Sequence, residues 1–191
     1  MSNQAKRAQA NHPILDLLAD RWSPYAFDPQ TVEEEKLLSC LEAARWAASS
    51  YNEQPWSFVV AKREDETEFP RLLDCLLEAN QAWAKNAGVL MITVTSKQFS
   101  RDGKPNLMAE HDIGLAIGNL TAQATSFGLF VHQMAGINRS KARQTYNIPE
   151  SHEPLTAIGL GYAANAQRDQ APRSRRPLSE FVFKGAWGTS R

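Results

Sequence analysis

The chain has 191 residues, 42% of them hydrophobic, enough for one domain with a real buried core. Its 21 basic residues balance 21 acidic ones, so no global field recruits nucleic acid or a membrane surface, and any anion site must be local. No window is long and apolar enough to span a membrane, and the opening MSNQAKRAQA is not followed by the apolar run of an export signal; together these predict a cytoplasmic protein.

In chain order, residues 1–12 read as an N-terminal extension and residues 13–191 as a single domain. Residues 12–20 place Ile14, Leu15, Leu17 and Leu18 at helical spacing before a Ser23-Pro24 turn. Thr31 and Glu34 have the form of a capping box, and Leu37, Leu38, Leu41 and Ala44 carry a helical face to Ala48. The pattern then predicts a strand over 57–62, a helix over 71–78 and a buried strand over 89–95. Residues 106–127 form the longest helical pattern. Gly114 and Gly118 each cost such a helix about 1 kcal/mol relative to Ala, which predicts close approach of another backbone in a central helix shared between subunits. Gly128 fits a helix stop, and a strand over 129–134, a short helix over 140–146 and a core strand over 155–162 follow. Cys40 and Cys75 each lie in an apolar helical pattern without CxxC spacing and read as core thiols.

The linker-like stretch 163–177 carries Arg168, Arg173, Arg175 and Arg176 ahead of an expected terminal strand. Two readings of this cluster stand: a solvated charged loop, or a phosphate clamp, because guanidinium forks match phosphate oxygens bidentately. Arg21, beside Ser23 at a helix end, is the other half that a clamp would want.

The anchoring residues of serine hydrolases, dinucleotide folds, P-loops and zincins are missing, and no metal-ligand cluster is visible. His111-Asp112 could be a base with its orienting carboxylate or a structural pair, and adjacent helical residues point about 100° apart. Polar anion-binding features without a nucleophile or metal site point to chemistry carried by a cofactor.

Six segments in order carry a resemblance: Arg21-Trp22-Ser23 followed by Phe27, then AARWAASSYNEQPWSFVV, DIGLAIGNLTAQATSFGL, HQMAGI, IPESHEPLTAIGLGY and RRPLSEFV. Over residues 13–182 the chain resembles the FMN-dependent nitroreductase family, most of all its short branch with the Arg-Trp-Ser opening and the His-Gln-Met-Ala-Gly segment. The resemblance implies an α+β sandwich, a mainly antiparallel central sheet flanked by helices. It also implies a homodimer through long central helices with two FMN sites at the interface.

Site roles follow from the same resemblance. Arg21, Trp22 and Ser23 match the opening that holds the FMN phosphate, ribityl chain and pyrimidine edge; Arg21 at the phosphate and Arg21 beside the pyrimidine both stand. Ser49, Ser50, Asn52 and Gln54 match the loop that lines the cofactor from the partner subunit, with a structural turn as a second role for Gln54. Gln133, Met134, Ala135 and Gly136 match the segment over the central ring, where a backbone amide donates to N5. Arg173 and Arg175 match the basic pair that reaches the phosphate, and Asn80 sits where many members carry an Asn. Four positions depart from the family pattern: Ala48 replaces Pro, Trp22 a basic residue, Tyr25 a lysine and Ala135 a glutamate of other branches.

The implied activity is hydride transfer from NAD(P)H through flavin N5 to a nitroaromatic, quinone or similar electron-poor small molecule, with no catalytic side chain of the protein's own. The alternatives are the same fold in dehalogenation or flavin fragmentation, which the short loop 95–106 disfavours, and a non-catalytic flavin-binding module.

Overall fold

In the computed structural model, residues 6–164 and 171–189 are described. Four strands, β1 (Trp56–Lys62), β2 (Val89–Ser96), β3 (Phe130–Met134) and β4 (His152–Gly161), form one antiparallel sheet in the order β1-β2-β4-β3. Six helices are α1 (Asp16–Asp20), α2 (Glu34–Arg45), α3 (Glu68–Leu73), α4 (Glu78–Ala84), α5 (Ala109–Ser126) and α6 (Arg139–Thr145).

The unbroken apolar run of β2 follows from its place in the middle of the sheet, covered on both faces. Leu90, Ile92 and Val94 point into a core with Phe69 and Leu72 of α3 and Trp83 of α4. Val89 and Met91 point the other way, among Leu37, Cys40 and Ala44 of α2 and Ile113, Ala116 and Leu120 of α5. Both cores hold fully buried leucines, Leu72 and Leu120, whose truncation to Ala costs ~2–5 kcal/mol. Phe27 fits against β4 because Gly159 and Gly161 have no side chain there; a Cβ on either would meet its ring at 3.4 and 3.2 Å. The α+β architecture and antiparallel sheet agree with the sequence reading, and Cys40 and Cys75 are buried free thiols. No helix among the described residues is long and apolar enough to cross a membrane.

Several boundaries differ, each for a physical reason. The helix expected over 71–78 is two helices, because the backbone between them bonds elsewhere: Asn138 N–H donates to Cys75 O at 2.8 Å, and Leu77 N–H to Gly136 O at 3.0 Å. Thr31 does not cap α2. That helix starts at Glu34 with Glu33 in the cap position, and Glu33 instead joins Lys36 and Tyr162, whose hydroxyl donates to it at 2.8 Å. The first helix is only α1, and the expected terminal strand is a single turn of 3-10 helix over Leu178–Glu180. Gly128, at φ 71°, ends α5 as expected. Gly114 and Gly118 have nothing within 4 Å of where a Cβ would stand, so no backbone of the same chain packs on them. Arg168 lies outside the described residues.

Candidate cofactor site

The chain leaves α1 in extended geometry at Arg21, which aims Arg21 and Ser23 at the edge of β3. Together with Gln133 of β3 and Gly118, Thr121 and Ala122 of α5, they line a cavity of about 320 Å³. Three of the residues expected from sequence, Arg21, Ser23 and Gln133, therefore meet although Gln133 is more than a hundred positions from the other two. No carboxylate, imidazole or phenol lines this cavity among the described residues.

Its electrostatics are one-sided. Burial lowers the pKa of the half-buried Arg21, and Arg175 lowers it further. Arg173 is lowered by burial and then by Arg21 and Arg175, with Asp20 partly opposing. None of the three forms a salt bridge among the described residues. Neighbouring guanidiniums that lower the pKa of Arg21 and Arg173, with no salt bridge to any of the three among the described residues, fit an anion such as a phosphate. Within this cluster the roles divide. Arg173 donates to the carbonyls of Lys6 (2.5 Å), Ala19 (2.6 Å) and Arg21, so its fork pins the tail to the end of α1 and it contributes charge more than free donors. Arg175 uses one Nη on Ser174 O and is otherwise exposed.

Trp22 and Met134 turn their side chains inward. Trp22 is 3% exposed and packs on Phe130 at 5.3 Å, and Met134 lies in the core, so each has only its backbone to offer a ligand. Beyond Met134 the chain is fixed from below: Asn80 Nδ2 donates to Gly136 O at 3.0 Å, beside the bond from Leu77 N–H. A Cβ on Gly136 would stand 2.4 Å from that same Nδ2, so the close approach requires glycine. Ala135 is exposed between these anchors.

Residues 49–54 do not line the cavity of their own chain. They form a tight loop in which Tyr51, Asn52 and Gln54 take φ of 54°, 57° and 52°, the left-handed region that side chains rarely adopt. The loop satisfies itself: Ser49 Oγ accepts from Gln54 N–H at 3.0 Å, and Gln54 Nε2 donates to Asn52 O at 3.1 Å. The structural turn weighed for Gln54 is thus present. Asp112 of α5, 2% exposed, anchors the loop by accepting from Ser50 N–H at 2.9 Å. His111 Nδ1 lies 3.1 Å from the other carboxylate oxygen, so the adjacent pair does meet, but away from the cavity.

Asp112 was visible in the sequence only as half of a candidate dyad, and its actual service, to Ser50, had no sequence signal. Gly118, Thr121 and Ala122 were readable as the small-residue face of a long helix, though not as cavity wall.

Comparison with known proteins agrees with this geometry. The sequence profile described as "Nitroreductase family" matches residues 18–87 and 75–162. A solved structure described as an oxidoreductase containing FMN is 34% identical, covers 100% of both chains and superposes with a TM-score of 0.90. Protein DrgA of Synechocystis sp. is 27% identical, over 86% of this chain and 89% of its own. The Major NAD(P)H-flavin oxidoreductase of Aliivibrio fischeri is 33% identical over 48% of this chain and 43% of its own. With the profile matched over most of its length and the fold shared with a solved relative 34% identical to it, the chain belongs to the nitroreductase family.

Proposed function

We propose that this protein is an FMN-dependent NAD(P)H oxidoreductase that reduces nitroaromatic, quinone or similar electron-poor acceptors. The observation that carries this reading is Arg21 lining a cavity with Ser23 and Gln133, with Arg175 near enough to lower its pKa and Arg173 bonded to its backbone carbonyl. The names of two relatives, an FMN-containing oxidoreductase and an NAD(P)H-flavin oxidoreductase, support it.

When bound, FMN supplies the ring that accepts hydride from the nucleotide and passes it on. The protein's own residues bind and orient. Arg21 and Arg175 hold the phosphate, and Arg173 fixes the tail so that this charge is in place. Gln133 and Ser23 are hydrogen-bonding groups at the cavity wall, and Asn80 holds the backbone of residues 134–136 in one position. With no proton-donating side chain along the wall, rate comes from proximity and orientation more than from acid catalysis.

A homodimer completes the site. Leu18, Leu38, Trp46 and Leu115 are exposed apolar side chains, and Gly114 and Gly118 leave an open strip along α5. A second copy seated there would bring its residues 49–54 to the cavity that the first copy builds without them. The two buried thiols fit the reducing cytoplasm expected from the sequence.

The purified protein is expected to be yellow, to bleach anaerobically with NADH or NADPH and to recover its colour when a quinone is added. A colourless protein that takes up no FMN would overturn the reading. A flavin that binds but is reduced by neither nucleotide would support the non-catalytic alternative instead. Sedimentation giving only monomer would remove the dimer.

A further inference from the structure

The loop between β2 and α5, residues 97–106, takes no part in the cavity described above, yet it is closely built. Phe99 N–H donates to Lys104 O at 2.8 Å, Gly103 N–H to Phe99 O at 2.9 Å, and Asn106 N–H to Lys97 O at 2.8 Å. Gly103 turns the chain at φ 69°. Glu53 Oε1 accepts from Ser100 N–H at 2.7 Å, which ties this loop to residues 49–54. Arg101 stands at its tip, and its guanidinium lies 4.1 Å above the ring of Tyr51 and 5.0 Å from that of Phe99. The two rings meet edge-on at 5.9 Å.

This arrangement is costly for a surface ornament. Tyr51 is a bulky residue at φ 54° and 76% exposed, and residues held so are kept by their surroundings. The Asp112 tether and the Arg101 stack are those surroundings. A guanidinium held over a ring by cation–π attraction still has its N–H donors to offer an acceptor. Arg101 makes no hydrogen bond among the described residues, and its one acidic neighbour, Asp102, is 3.8 Å from Nε. The loop carries Lys97, Arg101 and Lys104 against Asp102 alone, and Glu53 is already engaged by Ser100.

We propose that Arg101, held over Tyr51 beside Phe99, is an anion-recognising specificity residue at the mouth of the flavin site that residues 49–54 complete across the dimer, binding an acidic oxyanion group of the molecule that stacks there. This rests on the nitroreductase reading and its homodimer, in which residues 49–54 of one copy border the flavin held by the other. The oxyanion has two sources, the 2′-phosphate of NADPH or an acid group on the acceptor.

The test uses the FMN-loaded protein in its oxidised form, with ligand binding read as perturbation of the flavin spectrum. Two pairs are titrated: NADP⁺ with NAD⁺, and 4-nitrobenzoate with its neutral methyl ester. Arg101→Met is expected to weaken the member of one pair that carries the extra acidic group about tenfold relative to the member that lacks it, with partial recovery in Arg101→Lys. Steady-state KM values for the same pairs should move in parallel. A change confined to the nucleotide pair identifies the 2′-phosphate; one confined to the nitro pair identifies the acceptor. Equal effects within both pairs, or none, overturn the proposal while leaving the flavin reading intact. Failure of the unaltered protein to take up FMN overturns both, and is seen before any variant is made.

Discussion

Residues 21–23 with the arginine tail, and residues 49–54, are both assigned to the cofactor site, yet they are held in opposite ways. The first wall is electrostatic. Besides burial, Arg175 lowers the pKa of Arg21, and both lower that of Arg173 with only Asp20 opposing, so an anion would ease repulsion in it. The second is geometric. Its backbone sits in left-handed positions closed by Ser49, Gln54 and the buried Asp112, all of which act with or without ligand. The first wall should therefore depend on the cofactor for its stability, and the second should be formed in advance of it.

Removing a charge from the first wall gives the largest expected effect. Arg21→Ala should weaken FMN binding about 100-fold, about 2.7 kcal/mol, in a fluorescence titration. The same change should leave the urea midpoint of the cofactor-free protein unchanged or slightly raised, because it relieves repulsion. A lower midpoint would show that the wall is not strained.

Asp112→Asn should behave the other way. It weakens a charge-assisted bond to Ser50 N–H and should cost about 1–3 kcal/mol of urea stability in the cofactor-free and the loaded protein alike. A loss confined to the loaded form would mean that the loop is not preformed.

Gly136→Ala tests how the backbone after β3 is held. The new Cβ displaces Asn80 from Gly136 O and should cost about 1 kcal/mol. In Asn80→Ala the same change should cost less, a coupling that a double-mutant cycle in urea would read.

The smallest effect lies away from the site, as a control for charge in general. Glu33 is held at about 2, below its ordinary 4.5, first by the Lys36 ammonium and then by its own backbone and the Tyr162 hydroxyl. Its contribution to stability is complete above about 4.5 and is lost as the pH falls toward 2. Glu33→Gln should flatten the stability profile across that window, followed by urea unfolding, without altering FMN binding at neutral pH.

How much of this was legible depended on the range over which each feature is determined. β2 and α5 could be read because their patterns are local: a run buried on both faces, and a long apolar stripe ended by Gly128. Arg21, Ser23 and Gln133 could be named from their segments, although their meeting could not. Asn80 was named only from the resemblance and Asp112 only beside His111; their partners were opaque, because each serves one backbone group, 56 and 62 residues away respectively. The break between α3 and α4 was hidden for the same reason, since Asn138 and Gly136 take over the backbone there. Arg173 could be read as a cation, but nothing in its neighbours foretold three carbonyls as its partners.

Those three carbonyls also set a timetable. Lys6, Ala19 and Arg21 emerge first during synthesis, whereas the side chain that gathers them belongs to the end of the chain. The anion-binding wall thus cannot close on a growing polypeptide, however well the sheet has formed behind it. In the proposed site, capture of the flavin phosphate would wait until Arg173 has joined Arg21 and Ala19, 152 and 154 residues earlier in the chain.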